Sequence, residues 1–220
     1  DAVRAFAGND PADPSDVLFM RGSTTDLKLV LLDGAPVYTP FHVAGLLKSF
    51  EPSVLGRADL HVGGAPARYD GGLTYILDLR TRRPRRDGLH LSASVDLISA
   101  STAVDSPLGT KAGVVASARS LHSFAEAPLG ASPYGYRDVL VGVEGEPARG
   151  HLVRATGFWN RESVVLDLPS AVGLAAAAAA AAPDQAWWSN RATSASWSGK
   201  TDSLFLEAMV AASAYDATLP

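Results

Sequence analysis

The fold is decided by the stretch from Leu29 to Tyr69, which reads LVLLDGAPVYTPFHVAGLLKSFEPSVLGRADLHVGGAPARY. It opens with a short apolar run of strand formers, which Asp33-Gly34 stops at once. An Asp-Gly pair between two extended runs predicts a tight turn, because glycine adopts a positive φ without steric cost. A further strand is predicted over 58–62 and ends at Gly63-Gly64. This stretch therefore predicts short strands separated by enforced turns.

Helical periodicity interrupts these strands. The apolar side chains of residues 40–50 recur at helical spacing, which predicts a helix there. Upstream, residues 1–7 predict a short helix and residues 16–20 predict a strand. The first part of the chain is therefore expected to form a small α+β unit.

Residues 17–80 carry an ordered series of short motifs. They are Met20-Arg21-Gly22, then Leu32-Asp33-Gly34-Ala35-Pro36-Val37-Tyr38, then His42, then Gly63-Gly64-Ala65-Pro66-Ala67-Arg68-Tyr69, then Gly71-Gly72, then Leu73 to Asp78. Together they resemble the plug domain of TonB-dependent outer-membrane receptors, most closely the Bacteroidetes-type branch. The resemblance implies that the family's first plug strand and its TonB box lie outside this sequence, so that the chain is a piece of a longer protein.

The resemblance also implies a domain division. Residues 1–80 would form the plug domain, residues 81–88 an arginine-rich linker, and residues 89–220 the first strands of an outer-membrane β-barrel. The sequence Arg-Thr-Arg-Arg-Pro-Arg-Arg at 80–86 is the densest charge in the chain. Such a run is either a patch for nucleic acid or anionic lipid, or a solvated linker. The linker is favoured, because Pro84 prevents regular structure and the plug-to-barrel junction would fall here.

After Gly88 the sequence alternates between apolar and polar residues. The apolar members of these runs are Leu89 to Leu97, Val114 to Ala118, Val139 to Val143, Val153 to Trp159 and Leu204 to Ala212, each taken at every second position. We expect about six strands of roughly ten residues with one apolar face, as in a transmembrane β-barrel wall. Segments 120–136 and 163–186 are long enough for extracellular loops. A soluble β-sandwich alternates in the same way and is the competing interpretation.

Aromatic residues are expected to mark the ends of these strands. Phe158, Trp159, Trp187, Trp188, Trp197 and Tyr215 are predicted to form a girdle at the membrane interface. Plugged transporter barrels have on the order of 22 strands. About six strands cannot close around a plug, so the expected fold is mainly β, with a small α+β plug followed by antiparallel strands of a partial transmembrane barrel.

Composition excludes several function classes. The net charge of −4 and the 19% charged residues argue against nucleic-acid binding. There is no cysteine for a disulfide or thiolate metal site. The five histidines are scattered without metal-ligand spacing, and no nucleophile motif or phosphate-binding loop is present. We therefore predict no enzyme activity, no catalytic residue, no metal and no cofactor.

The resemblance implies a receptor for active uptake of a scarce nutrient: a siderophore, cobalamin, a glycan or a peptide. Its partners would be outer-membrane lipid, the TonB energy-transducing complex acting on a segment absent here, and a surface lipoprotein lid. Tyr38, Phe41 and His42 are predicted to contact substrate, although they could equally pack the plug against the wall. Two alternatives remain: a non-transporting outer-membrane or surface assembly module, and a soluble periplasmic β-rich binding domain.

Overall fold

A computed structural model describes residues 28–38, 50–62, 69, 75–121, 134–166 and 184–219. Across these ranges the strands are β1 Lys28–Leu32, β2 Ala35–Pro36, β3 Leu55–Val62, β4 Tyr75–Thr81, β5 His90–Val95, β6 Ser99–Leu108, β7 Ala112–Leu121, β8 Tyr134–Ala148, β9 His151–Leu166, β10 Asp184–Lys200 and β11 Phe205–Thr218. A 3₁₀ turn, Pro52–Val54, precedes β3. The predicted helices at 1–7 and 40–50 and the predicted strand at 16–20 lie outside or almost wholly outside the described residues. Within those residues, no helix is long and apolar enough to cross a membrane.

The first four strands form a small sheet in the order β2-β1-β4-β3. β1 runs parallel to β4, and the other two pairings are antiparallel. Asp33 and Gly34 join β1 to β2 with φ values of 47° and 85°. Two consecutive positive φ values are the signature of the tight hairpin turn that an Asp-Gly pair favours. The turn predicted from these two residues is therefore present.

We expect Gly34→Ala to destabilise this turn by about 1–2 kcal/mol, because a Cβ opposes the left-handed backbone. The added Cβ would also lie 2.5 Å from Sδ of Met209 on β11, but that side chain can move away. Thermal unfolding of Gly34→Ala and of the Gly34→Ala/Met209→Ala pair separates the two causes. The double variant should recover little of the loss. Full recovery would show that the contact with Met209, and not the backbone, sets the cost.

The other seven strands form one sheet, which we call the wall, in the order β11-β10-β9-β8-β7-β6-β5. Each strand is antiparallel to the next one in the chain. At one end of the wall the connections are short turns, such as Gly109–Lys111 and Arg149–Gly150. At the other end β7 connects to β8 through 122–133, and β9 connects to β10 through 167–183. Short turns at one end and longer connections at the other are typical of outer-membrane barrels.

The apolar face of the wall points outward, whereas the apolar face of a sheet in a soluble sandwich points inward. On β8, Val139, Val141 and Val143 are 37–40% exposed, whereas Asp138 and Glu144 are 2% and 4% exposed. The polar positions point towards the small sheet, and the apolar positions point away from the protein. A soluble sandwich would bury the apolar face against a second sheet. The fold is mainly β, with the alternating wall of a partial barrel, as predicted.

The wall has seven strands where about six were expected. Alternation did not reveal β6 and β10, because polar residues occupy much of their outward faces. On β10, Ser189, Arg191 and Thr193 stand at outward positions between Trp187 and Trp197. A strand of this composition carries a weak periodic signal, and its neighbours in the sheet determine its place.

The expected aromatic girdle is only partly present. Trp159, Trp187 and Trp197 share the outward register of the exposed valines. Phe158 instead faces inward, is 4% exposed and packs against Phe50. Trp188 and Tyr215 also fall on the inward register. The prediction was wrong for these three, because adjacent positions along a strand face opposite sides.

Candidate functional site

The small sheet lies against the inner face of the wall, and Asp33 is at the centre of the contact. Its side chain is buried and accepts hydrogen bonds from the Thr81 backbone N–H at 3.1 Å and from the Thr81 hydroxyl at 2.6 Å. It also accepts one from the Thr156 hydroxyl on β9 at 2.7 Å. The amide it binds belongs to the end of β4, and the carboxylate links the small sheet to the wall.

Arg154 on β9 balances the buried charge around Asp33. Its guanidinium donates to Glu144 at 2.6 Å and to the Thr81 carbonyl at 3.2 Å, and it lies 3.8 Å from Asp33. Glu144 and Arg154 are directly opposite each other on β8 and β9. A buried carboxylate is costly unless it is paired and hydrogen-bonded, and these contacts meet that requirement.

The arginine-rich segment between the two sheets is tied to the wall through acidic residues. Arg82 forms an ion pair with Asp105 on β6 and donates to the Ser53 carbonyl at 2.7 Å. The backbone N–H of Arg85 donates to Asp105 at 2.7 Å. Arg83 lies 3.7 Å from Glu144. These contacts fit a connecting segment held by the wall rather than a patch of free positive charge.

The end of this segment is also locally ordered. His90 donates to Asp87 at 2.9 Å, and this hydrogen bond holds the pKa of Asp87 below its usual range. Both side chains are substantially exposed, so the pair positions the chain before β5 without contributing much stability.

Of the three residues predicted to contact substrate, the structure describes Tyr38 alone. It lies where the small sheet meets β10 and β11. Its backbone N–H donates to Asn190 on β10 at 2.9 Å, and its ring lies 5.9 Å from that of Tyr215. The Tyr38 side chain is 49% exposed, so a face of it is free for another contact. Phe41 and His42 lie outside the described residues. The substrate-contact role of all three residues stays a prediction.

Asn190 is held by a second buried asparagine. Both its backbone N–H and its side-chain amide donate to the Asn160 side-chain oxygen, at 2.8 and 3.1 Å. Nearby, the Ser213 hydroxyl donates to the Pro36 carbonyl at 2.6 Å. These bonds attach β2 and the residues after it to β10 and β11.

Apolar packing fills the space between these polar contacts. The rings of Phe50 and Phe158 lie 5.1 Å apart, centroid to centroid, and both are buried. The shared core is formed by Val30, Leu32, Ala35, Val37, Phe50, Val54, Leu77 and Leu79 of the small-sheet region and by Ala103, Val115, Leu140, Phe158 and Ala192 of the wall. A cavity of about 560 Å³ remains between the 3₁₀ turn and the β5–β6 end of the wall, where Arg119 lines it.

This arrangement is suited to holding the small sheet in place rather than to bond chemistry. Within the described ranges, no group of His, Asp and Glu could hold a metal ion. Sequence reasoning missed Thr156, Arg154, Glu144 and the two asparagines. The sequence did carry a signal for them. They occupy the strand positions that alternate with the outward apolar residues, so they had to face inward.

Sequence comparison gives no relative for this chain: no protein family and no curated protein matches it. Similarity appears only at the level of structure.

Three solved structures of receptors share the fold. The siderophore receptor PirA from Pseudomonas aeruginosa has a TM-score of 0.59 at 16% identity, and the alignment covers 90% of this chain and 34% of that one. PirA from Acinetobacter baumannii has a TM-score of 0.62 at 9% identity, covering 90% and 33%. A mutant ferric enterobactin receptor, PfeA, from Pseudomonas aeruginosa has a TM-score of 0.56 at 13% identity, covering 86% and 33%. The chain spans about a third of the length of these proteins, and it has the fold of a portion of a siderophore receptor.

Proposed function

We propose that this chain is part of a TonB-dependent outer-membrane receptor that takes up a scarce nutrient. The observation that carries the proposal is the arrangement of the two faces of the wall: the outward valines of β8 are exposed, while Asp138 and Glu144 on its inward face are buried. An apolar outer face suits lipid, and a polar inner face suits a lumen filled by a plug. The small sheet would be the plug, with the domain boundaries at 80 and 88 given by the motif resemblance.

The substrate class to test first is a ferric siderophore. The solved neighbours are siderophore receptors and a ferric enterobactin receptor. Substrate would approach from the end of the wall that carries the long connections, and Tyr38, Phe41 and His42 would contact it. Energy would come from the TonB complex. No catalytic step is involved.

Uptake of radiolabelled substrate by cells expressing the full-length protein tests the proposal. We expect accumulation of one ferric siderophore from a panel that also contains cobalamin, a glycan and a peptide. Accumulation should cease when TonB is deleted or the proton gradient is collapsed. Tyr38→Ala should weaken binding by about tenfold, as for the loss of roughly 1.4 kcal/mol. Ser189→Ala, a small change on the outward face, should leave binding unchanged.

Two results would contradict the proposal. Recovery of the full-length protein in the soluble periplasmic fraction would indicate a β-rich binding domain instead. Outer-membrane protein that binds no member of the panel, and whose loss leaves uptake unchanged, would favour an assembly module.

A further inference from the structure

Two arginines stand directly opposite each other on the outward face of the wall. Arg137 on β8 is paired in register with Arg161 on β9, and both side chains are exposed. They share the face of Val139 and Val141, which points away from the small sheet. Like charges at directly opposed positions of an antiparallel pair are destabilising. The sheet therefore carries a local excess of positive charge at this point.

No acidic residue in the described structure balances these two charges. Arg137 lies over the Trp159 ring, 5.4 Å from its centroid, and Arg161 lies over the Trp187 ring at 4.6 Å. Neither guanidinium makes an ion pair or a hydrogen bond within the described ranges. Arg191 on β10, by contrast, is paired with Asp216 at 3.1 Å. The tryptophans fix the two guanidinium planes and leave their N–H donors free for a ligand.

The position of the pair on the wall indicates what kind of ligand could reach it. Trp187 and Trp197 face outward on the same strand, 10 residues apart. This spacing is about 33 Å along the strand, or roughly 25 Å of height at the usual strand tilt of about 40°. This height matches that of the apolar band of an outer-membrane barrel, although Ser189, Arg191 and Thr193 interrupt the apolar face on β10. Arg161 is paired with Ser189, which is the next outward residue after Trp187 in the direction of Trp197. The arginines thus lie at one edge of the band, on the side of the long connections.

The surface beside the pair is apolar. Val139, Val141 and Val143 continue down β8 from Arg137, and all three are exposed. A ligand suited to this surface has an anionic group at the arginines and hydrocarbon along the valines. Strands β8 and β9 are central in the sheet, so neighbouring strands flank the surface on both sides.

We propose that Arg137 and Arg161, with Trp159 and Trp187, bind the phosphate group of an anionic glycolipid in the outer leaflet. One phosphate between two guanidinium groups would accept paired hydrogen bonds and remove their repulsion. The acyl chains would lie against the valines of β8. This site rests on the proposed outer-membrane location, but it is on the face opposite to the substrate path and does not depend on transport.

Native mass spectrometry of the full-length protein in mild detergent tests the site, with purified bisphosphorylated lipid A as the probe. We expect Arg137→Gln/Arg161→Gln to retain about tenfold less lipid A than the unmodified protein, a change of roughly 1.4 kcal/mol. Arg149→Gln is the matched control, because Arg149 is an exposed arginine in the β8–β9 turn at the other end of the wall. It should retain lipid A normally. Arg137→Lys/Arg161→Lys should retain an intermediate amount of lipid A, less than the unmodified protein and more than the glutamine variant. Lysine keeps the positive charge but lacks the two parallel N–H donors of the guanidinium group.

Two further binding measurements distinguish the phosphate of a lipid from free phosphate. Lipid A without its phosphates should bind as weakly to the unmodified protein as intact lipid A binds to the glutamine variant. Excess inorganic phosphate should not displace lipid A, because it lacks the acyl chains. Equal retention by all variants, equal binding of dephosphorylated lipid, or displacement by inorganic phosphate would each overturn the proposal.

Folding of the glutamine variant is checked by its gel migration before and after boiling, which should match that of the unmodified protein. Removal of the opposed charges should leave its stability in lipid-free detergent equal or higher. A variant that is less stable without lipid would overturn the claim that these charges are unbalanced. Failure of transport with normal lipid retention would reject the proposed function alone.

Discussion

Replacing Asp33 by alanine should accelerate amide hydrogen exchange in β1 by about 100-fold or more. The substitution leaves the Thr81 N–H and the Thr156 hydroxyl without their acceptor, and it places alanine at a positive φ. Removal of one partner from a buried charged network costs about 3–5 kcal/mol. A tenfold change in the opening equilibrium corresponds to about 1.4 kcal/mol. Exchange of the full-length protein in detergent, followed by mass spectrometry, measures this opening directly.

Two variants separate the causes in this experiment. Asp33→Asn tolerates the left-handed backbone and keeps one acceptor oxygen, so it should accelerate exchange less than alanine does. Asp96→Ala removes another turn aspartate, which bonds the backbone N–H groups of Ile98 and Ser99 in the wall. It should leave exchange in β1 unchanged. An exchange rate in β1 of Asp33→Ala that is within about threefold of that of the unmodified protein would contradict the role of Asp33 as the link between the sheets. Threefold corresponds to a change of roughly 0.7 kcal/mol in the free energy of opening.

Replacing Phe158 by alanine should destabilise the docking of the small sheet by about 3–5 kcal/mol, the usual cost of emptying a buried aromatic site. Phe158 is 4% exposed and its ring lies 5.1 Å from that of Phe50. The same exchange experiment should show the effect in both β1 and β4. Val153→Ala is the control on the same strand, because Val153 faces outward and is 41% exposed. It should cost about 1 kcal/mol or less.

The pair Phe50→Ala/Phe158→Ala tests whether the two rings act as one contact. Residues that touch each other give costs that do not add. The double variant should cost less than the sum of the single costs by about 0.5–1.5 kcal/mol, the range measured for aromatic pairs. Additive costs would show that the two sheets are stabilised independently at this position.

Local sequence was sufficient for the parts of the fold that rest on one turn or one alternating strand. Asp33-Gly34 predicted its turn because two positive φ values demand such residues. The valines of β8 predicted an amphipathic strand because alternation is a property of the strand alone. β10 could not be recognised in this way, since its outward residues include Ser189, Arg191 and Thr193. Its hydrogen bonds to β9 and β11 define it, and those partners are set by the whole sheet.

The contact between the sheets was harder to predict, because its members are far apart in sequence. Asp33 and Thr156 meet only when β1 and β9 face each other. An aromatic residue near a strand end predicts a girdle position for Phe158, yet one residue of offset reverses the face of a strand. A register shift cannot be read from composition. Counting alternate positions from the outward Val153 would have placed Phe158 on the inward face.

Spin-label accessibility along β8 tests most directly whether the outward face of the wall contacts lipid. The 220 residues contain no cysteine, so single cysteines at Val139, Leu140, Val141 and Val143 can be labelled within this segment without a competing thiol. In the full-length protein in lipid bilayers, we predict that dissolved oxygen reaches the three valine positions and that a water-soluble nickel chelate does not. The label at Leu140 should be screened from both. Access of the nickel chelate to positions 139, 141 and 143 would place this face in water and contradict the membrane-receptor interpretation.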